Sequence, residues 1–161
     1  MFSALCAAAM VTSVSAQGGK DMLSNGIKYL DVPYVDHTLE ADGPEELVIN
    51  CDEVDCTTLV EYVLAETLTP KLADGDISES AFADNLQKIR YRDGKIDGYT
   101  SRLHYIADWI NNGVRNGFLQ DVTGAMSPDT ERLSISYMSS HPQLYKQLAN
   151  SPENIAKMKK I

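Results

Sequence analysis

The chain has 161 residues, a net charge of −9 and 43% hydrophobic residues. That is the size and make-up of about one soluble globular domain, which excludes wholesale disorder and collagen-like structure. So acidic a sequence lacks the basic footprint that binds phosphate backbones, and nucleic acid is not an expected partner.

No apolar run reaches the roughly 18 residues that a membrane span needs. Phe2 to Val14 is nevertheless uncharged and built from apolar and small residues, and Val14-Ser15-Ala16 puts small side chains where a signal peptidase reads. Residues 1–16 are therefore expected to be a secretory signal peptide, 17–25 a flexible N-terminal tail and 26–161 the folded domain, in an exported, periplasmic or extracellular protein. No cation precedes the apolar stretch, so the leader is expected to begin upstream of Met1. A buried first helix is the competing reading. Leu5 ahead of Cys6 disfavours lipid attachment. Cys51 and Cys56 remain after cleavage, and an oxidising compartment invites a disulfide. The short spacing into a helix start makes that bridge awkward.

In chain order, Asp42-Gly43-Pro44 is a turn and Leu47-Val48-Ile49 a short apolar run. Thr57 to Leu68 carries Leu59, Val60, Val63 and Leu64 at helical spacing, with Asp55 as N-cap and Pro70 beyond the end. A second helix is expected over 77–89, capped by Asp76, with Phe82, Leu86 and Ile89 inward. Arg90 to Gly98 reads as a polar loop. A third helix is expected over 101–112, with Leu103, Ile106 and Ile110 inward and Gly113 as its stop. Phe118–Val122 and the alternation Leu133, Ile135, Tyr137 read as short strands. Pro142 and Pro152 each open a short helix. The expected class is α+β, helix-rich with few strands. The apolar helix faces need a partner layer, and the pattern stops in mid-helix at Ile161, so the domain is expected to be incomplete.

Cys56 is the first candidate for chemistry. A helix N-terminus carries partial positive charge, favours thiolate over thiol, and offers first-turn amides to a developing oxyanion. That suits nucleophilic acyl transfer. A lone cysteine is more often a small core residue. Cys51 reads as a packing residue or as a disulfide partner that would silence Cys56. The sequence places none of His37, His104 and His141 against Cys56. Tyr91, Arg92, Asp93 and Asp97 form either a solvated or a binding loop. Arg102, His104, Tyr105, Asp108 and Trp109 either line a polar pocket or pack at an interface. No metal-ligand spacing, phosphate loop or dinucleotide fingerprint is present.

Val32-Pro33-Tyr34-Val35, Thr38-Leu39-Glu40, Leu47-Val48-Ile49-Asn50 and the run from Asp55 to Ala65 together resemble the NlpC-type papain-like superfamily of cell-wall cysteine hydrolases. Asp55-Cys56-Thr57-Thr58 with Val60-Glu61, Ile89 to Gly94, and Ser101 to Tyr105 with Asp108-Trp109-Ile110 are similar to one branch of it, the N-acetylmuramoyl-L-alanine amidase-like family. The resemblance implies the N-terminal part of a papain-like fold. It implies Cys56 as nucleophile, Tyr34 and Asp55 shaping the substrate pocket, and Arg102 and His104 as signature residues with substrate-binding roles. The implied reaction cleaves the amide between N-acetylmuramic acid and L-alanine in peptidoglycan or muropeptides, through a thioester and without a cofactor. It also implies a histidine base downstream, beyond Ile161. The alternatives are His104 as base, a peptidoglycan-binding module without catalysis, or an inactive fragment.

Overall fold

In a computed structural model of the chain, residues 21–73, 75–129, 131 and 134–161 are described. The expected leader, Cys6 and residues 17–20 lie outside them. The described residues are helix-rich, and β pairing among them is confined to three isolated bridges. They divide into two compact units. The first comprises the residues up to Asp42 and Leu47–Gln87, the second Gly43–Glu46 and Lys88–Ile161.

The first unit is organised by the helix the sequence marks most strongly. Asp55 caps it, and α2 runs Cys56–Leu68, opening at Cys56 as expected, with Thr69 as C-cap ahead of Pro70. Its middle is buried on every side: Glu61, Tyr62, Val63, Leu64 and Ala65 are all enclosed, whereas Val60, expected inward, is 46% exposed. A helix hydrophobic all round belongs at the centre of its layer. The tail expected over 17–25 is helical where it is described. Residues 21–27 form α1, and Asn25 is buried, its side-chain amide donating to Thr67 Oγ1 at 3.1 Å. Tyr29 stacks on Tyr62, with ring centroids 6.3 Å apart, and Tyr62 meets Phe82 at the same separation.

Helix α3 spans Glu79–Arg90, its last three residues belonging to the second unit. It starts later than the expected Ile77. Ile77 is instead held in an antiparallel bridge with Lys71, and the Ser78 hydroxyl accepts from Ala81 N at 3.4 Å. Phe82 and Leu86 face inward as expected.

In the second unit the polar-looking stretch begins in the interior and emerges after Tyr91, with Asp93, Lys95, Asp97 and Gly98 exposed. Arg90 and Tyr91 are each 1% exposed, and Tyr91 bridges Arg102 in antiparallel fashion. Two 3-10 turns, Arg92–Gly94 and Tyr99–Ser101, precede Arg102, the first inside the expected loop and the second reaching the start of the expected third helix only at Ser101. Helix α4 itself is Ile106–Arg115. This shifts its inward face: Trp109, Asn112 and Gly113 are buried, while Ile106 and Ile110, expected inward, are exposed.

Gly113 is no stop. A Cβ there would lie 2.5 Å from Leu119 Cδ1 and 2.8 Å from Phe118 Cε2, because the chain folds back over it. Phe118 N and Leu119 N both donate to the Gly113 carbonyl at 3.1 Å. That return replaces the strand expected over 118–122. The second expected strand fares likewise. Leu133 is not among the described residues, Ile135 is exposed, and Tyr137 opens α6 (Tyr137–Ser140).

Between them lies α5, Thr123–Met126. A 3-10 turn at Pro142–Leu144, then α7 (Lys146–Ala149) and α8 (Pro152–Met158), follow, with both prolines at the first-turn positions expected of them. Tyr99, Met138, Leu148 and Met158 form the core of this unit, with Tyr105, Tyr145 and Ile155 packed on it.

Candidate active site

Cys56 is the first residue of α2, and its side chain is exposed. The local fold follows from Asp55. Its Oδ1 accepts from Thr57 N at 2.8 Å and Thr58 N at 2.7 Å, while its own N–H donates to Thr58 Oγ1 at 2.8 Å. This is a capping box with threonine at the third position. It occupies the second and third amides of the helix. The Cys56 N–H has no protein acceptor among the described residues and remains the first-turn donor open to an oxyanion. Asp55 therefore sets the helix start at Cys56.

Tyr34 arrives through backbone pairing. Val35 N donates to Val54 O at 3.0 Å and Val54 N to Pro33 O at 3.1 Å, a parallel bridge that seats residues 33–35 beside the segment leading into Asp55 and Cys56. Tyr34 is 70% exposed, yet its phenol pKa is pushed up. Negative charge on Cys56 is the first cause, with slight desolvation, the Asp55 carboxylate and a hydrogen bond to the Cys56 side chain adding to it. Tyr34, Asp55 and Cys56 thus lie together at the start of α2.

Cys51 is exposed and neither cysteine is in a disulfide, so the packing role considered for Cys51 is not what the fold provides. Its sulfur lies 3.8 Å from the Tyr29 hydroxyl, which also donates to Glu66 at 3.0 Å. Burial, then the neighbouring Cys51 and Glu66, push the Tyr29 phenol far up.

Arg102 and His104 belong to the second unit. They precede α4 rather than riding on it. Arg102 is 6% exposed, its Nε is 3.2 Å from Glu45 Oε1, and its guanidinium lies 5.1 Å from the centroid of the Tyr99 ring. Glu45 Oε1 also accepts from the Tyr91 hydroxyl at 2.9 Å. The His104 ring sits 4.3 Å from the Tyr99 ring, with Nε2 2.9 Å from the Tyr99 carbonyl. Burial lowers its pKa to about 4, and the charges of Arg102 and Arg92 push the same way.

The sequence gives no sign of Glu45, and marks Tyr91 only as part of a solvated or binding loop. Nothing in Pro44-Glu45-Glu46 foretells a carboxylate reaching an arginine 57 positions later. Of the other histidines, His37 is exposed beside Asp36 at 3.6 Å, and His141 Nδ1 bonds to the Tyr137 carbonyl at 3.0 Å. No cluster of three or more metal-binding side chains is present among the described residues. No helix among them is long and apolar enough to cross a membrane.

Several crystal structures resemble this chain. One, of an N-acetylmuramoyl-L-alanine amidase from Bacteroides uniformis ATCC 8492, is 98% identical with a TM-score of 0.85, over 88% of this chain and 60% of that one. A second structure under the same name and from the same organism is 95% identical, also with a TM-score of 0.85, over 89% and 59% of the two chains. A protein of Bacteroides fragilis provisionally named a xylanase is 64% identical with a TM-score of 0.81, over 86% and 59%. The chain therefore spans about three-fifths of the length of the solved structures it matches. A comparison with curated proteins finds no match. Residues 24–161 match the AmiA-like family, described as N-acetylmuramoyl-L-alanine amidase-like, and the chain belongs to that family.

Proposed function

We propose that the chain carries the nucleophile of a papain-like, NlpC-type cysteine amidase. Its reaction is cleavage of the bond between the lactyl carbonyl of N-acetylmuramic acid and the amine of L-alanine. The observation that carries this reading is the exposed Cys56 thiol at the first position of α2, with the Tyr34 hydroxyl beside it. The family and the amidase names of two relatives support the substrate class.

In this reading the Cys56 thiolate attacks the lactyl carbonyl, and the Cys56 N–H donates to the oxyanion that forms. The carbon–nitrogen bond breaks, the L-alanine amine leaves with a proton, and the lactyl group stays on sulfur as a thioester. Water then attacks the thioester, releasing the muramic carboxylate and restoring the thiol. His104 is poorly suited as base. It is held neutral with its pKa near 4, and Nε2 is occupied by a backbone carbonyl. Efficient proton transfer near neutral pH asks for a pKa closer to 7.

Acid quenching during muropeptide turnover, followed by mass spectrometry, tests the reading. A muramoyl adduct is expected on the peptide that contains Cys56. In Cys56→Ala, release of L-alanine-headed peptide falls by about 1,000-fold or more, comparable to loss of a nucleophile elsewhere. Undiminished release in that variant rejects Cys56, and release of new reducing sugar ends would point to the glycosidase name of the Bacteroides fragilis relative.

A further inference from the structure

Helix α2 carries Thr57, Thr58 and Thr67, and Thr69 is its C-cap. Three of these hydroxyls serve the helix itself. Thr58 Oγ1 accepts from Asp55 N at 2.8 Å, Thr67 Oγ1 donates to the Val63 carbonyl at 2.7 Å, and Thr69 Oγ1 donates to the Ala65 carbonyl at 2.8 Å. The last two follow the usual habit of a helical threonine, which bonds the carbonyl four residues back. Thr57 cannot follow it, because four residues back lies Glu53, ahead of the cap and outside the helix. The Thr57 N–H is held by Asp55 Oδ1 at 2.8 Å. Its hydroxyl lies 4.0 Å from Cys56 Sγ, and that sulfur is its one partner among the described residues.

The contact is long, and its sense depends on the charge of the sulfur. Against a neutral thiol either group can donate. Against a thiolate only the hydroxyl can, and the charge draws the two together. The Tyr34 hydroxyl bonds the same side chain, its backbone paired with Val54. Two hydroxyls from different segments thus converge on Cys56. Tyr34 is exposed, whereas Thr57 is half-buried and its backbone is tied by the cap. A β-branched side chain is also stiff about its first torsion, so the Thr57 hydroxyl is the better fixed of the two.

We propose that Thr57 is a positioning residue whose hydroxyl donates to the Cys56 thiolate and holds it at the start of α2. This rests on the reading of Cys56 as a nucleophile that acts through its thiolate. A donor stabilises the anion more than the thiol, so its removal leaves less thiolate at neutral pH. The same donor tempers the sulfur that it stabilises, so a thiolate without it is the more reactive one. The two effects have opposite signs at the two ends of a pH profile.

Alkylation of Cys56 by iodoacetamide in the full-length protein, resolved by site with mass spectrometry from pH 5 to pH 10, tests the proposal. Thr57→Val keeps the side-chain shape and the backbone N–H. Its rate at pH 7 should be lower by about 5-fold, as for loss of one hydrogen bond to a charged group at an exposed site, and should equal or exceed the parent's at pH 10. Thr57→Ser should restore the parent's profile. Circular dichroism confirms that both variants are folded. The proposal is overturned by a profile in Thr57→Val that superimposes on the parent's, by a rate lowered equally at every pH, or by failure of serine to restore it. Because the reagent reads the sulfur without turnover, rejection of the amidase reading leaves this result standing, and a null result here leaves the Cys56→Ala test untouched.

Discussion

At the scale of the residue, the site is decided by what Asp55 does with one carboxylate oxygen. Oδ1 takes two backbone amides and lies 3.0 Å from the Thr58 hydroxyl, so the carboxylate is spent on starting a helix. Asp55→Ala is expected to cost about 1 kcal/mol of stability, the usual worth of such a cap. Asp55→Asn should recover most of it, since the amide oxygen still accepts. Urea unfolding of the three proteins checks this, and an alanine variant as stable as the parent would show that the cap is idle. The cap is legible in the sequence because Asp directly ahead of an apolar helical pattern is a local signal. The Glu45–Arg102 pair is not, because an ion pair between distant positions leaves no periodicity. Nor was the sharing of Tyr99 by Arg102 and His104 legible, since those three residues were expected on or beside one helix.

At the scale of the element, α2 was legible almost to the residue, because cap, apolar spacing and terminating proline all agree. The region 101–119 was not. Its apolar positions fit a helix from 101, but the Tyr99–Ser101 turn and the bridge of Arg102 to Tyr91 hold the chain out of helical conformation until Ile106. The buried face of α4 accordingly carries Trp109, Asn112 and Gly113 rather than Ile106 and Ile110. Gly113 shows the same limit: glycine after an amphipathic run reads as a stop, whereas here it makes room for Leu119 and Phe118. Alanine is intrinsically the better helix former by about 1 kcal/mol. Overpacking typically costs about 1–3 kcal/mol, and three side-chain atoms within 3 Å of the new Cβ make the steric cost the larger. Gly113→Ala should therefore lower stability by about 1 kcal/mol. A variant with a higher melting temperature than the parent would contradict the fold-back over this glycine.

At the scale of the whole molecule, acid sensitivity is a property to which His104 contributes. Its pKa is lowered from 6.5 to about 4 by burial and by Arg102 and Arg92, opposed by the Tyr99 carbonyl and Asp108. Between these two values the unfolded chain binds a proton that the folded one refuses. Stability from this group is thus complete above about pH 6.5 and is lost as pH falls towards 4. From pH 7 to pH 4.5 the parent should lose about 2 kcal/mol more than His104→Gln, whose side chain does not titrate. Denaturant titrations of both proteins at the two pH values measure the difference, and parallel losses would reject it.

Tyr91 bonds both Glu45 and the Glu46 carbonyl. Residues 43–46 thereby belong to the second unit although their neighbours on either side belong to the first. A ribosome delivers those four residues long before the side chains that receive them. For the time needed to make the following half-hundred residues, the Glu45 carboxylate waits in water for Tyr91 and Arg102. A nascent chain halted before Tyr91 lacks both the Tyr91 hydroxyl and the Arg102 guanidinium that meet Glu45.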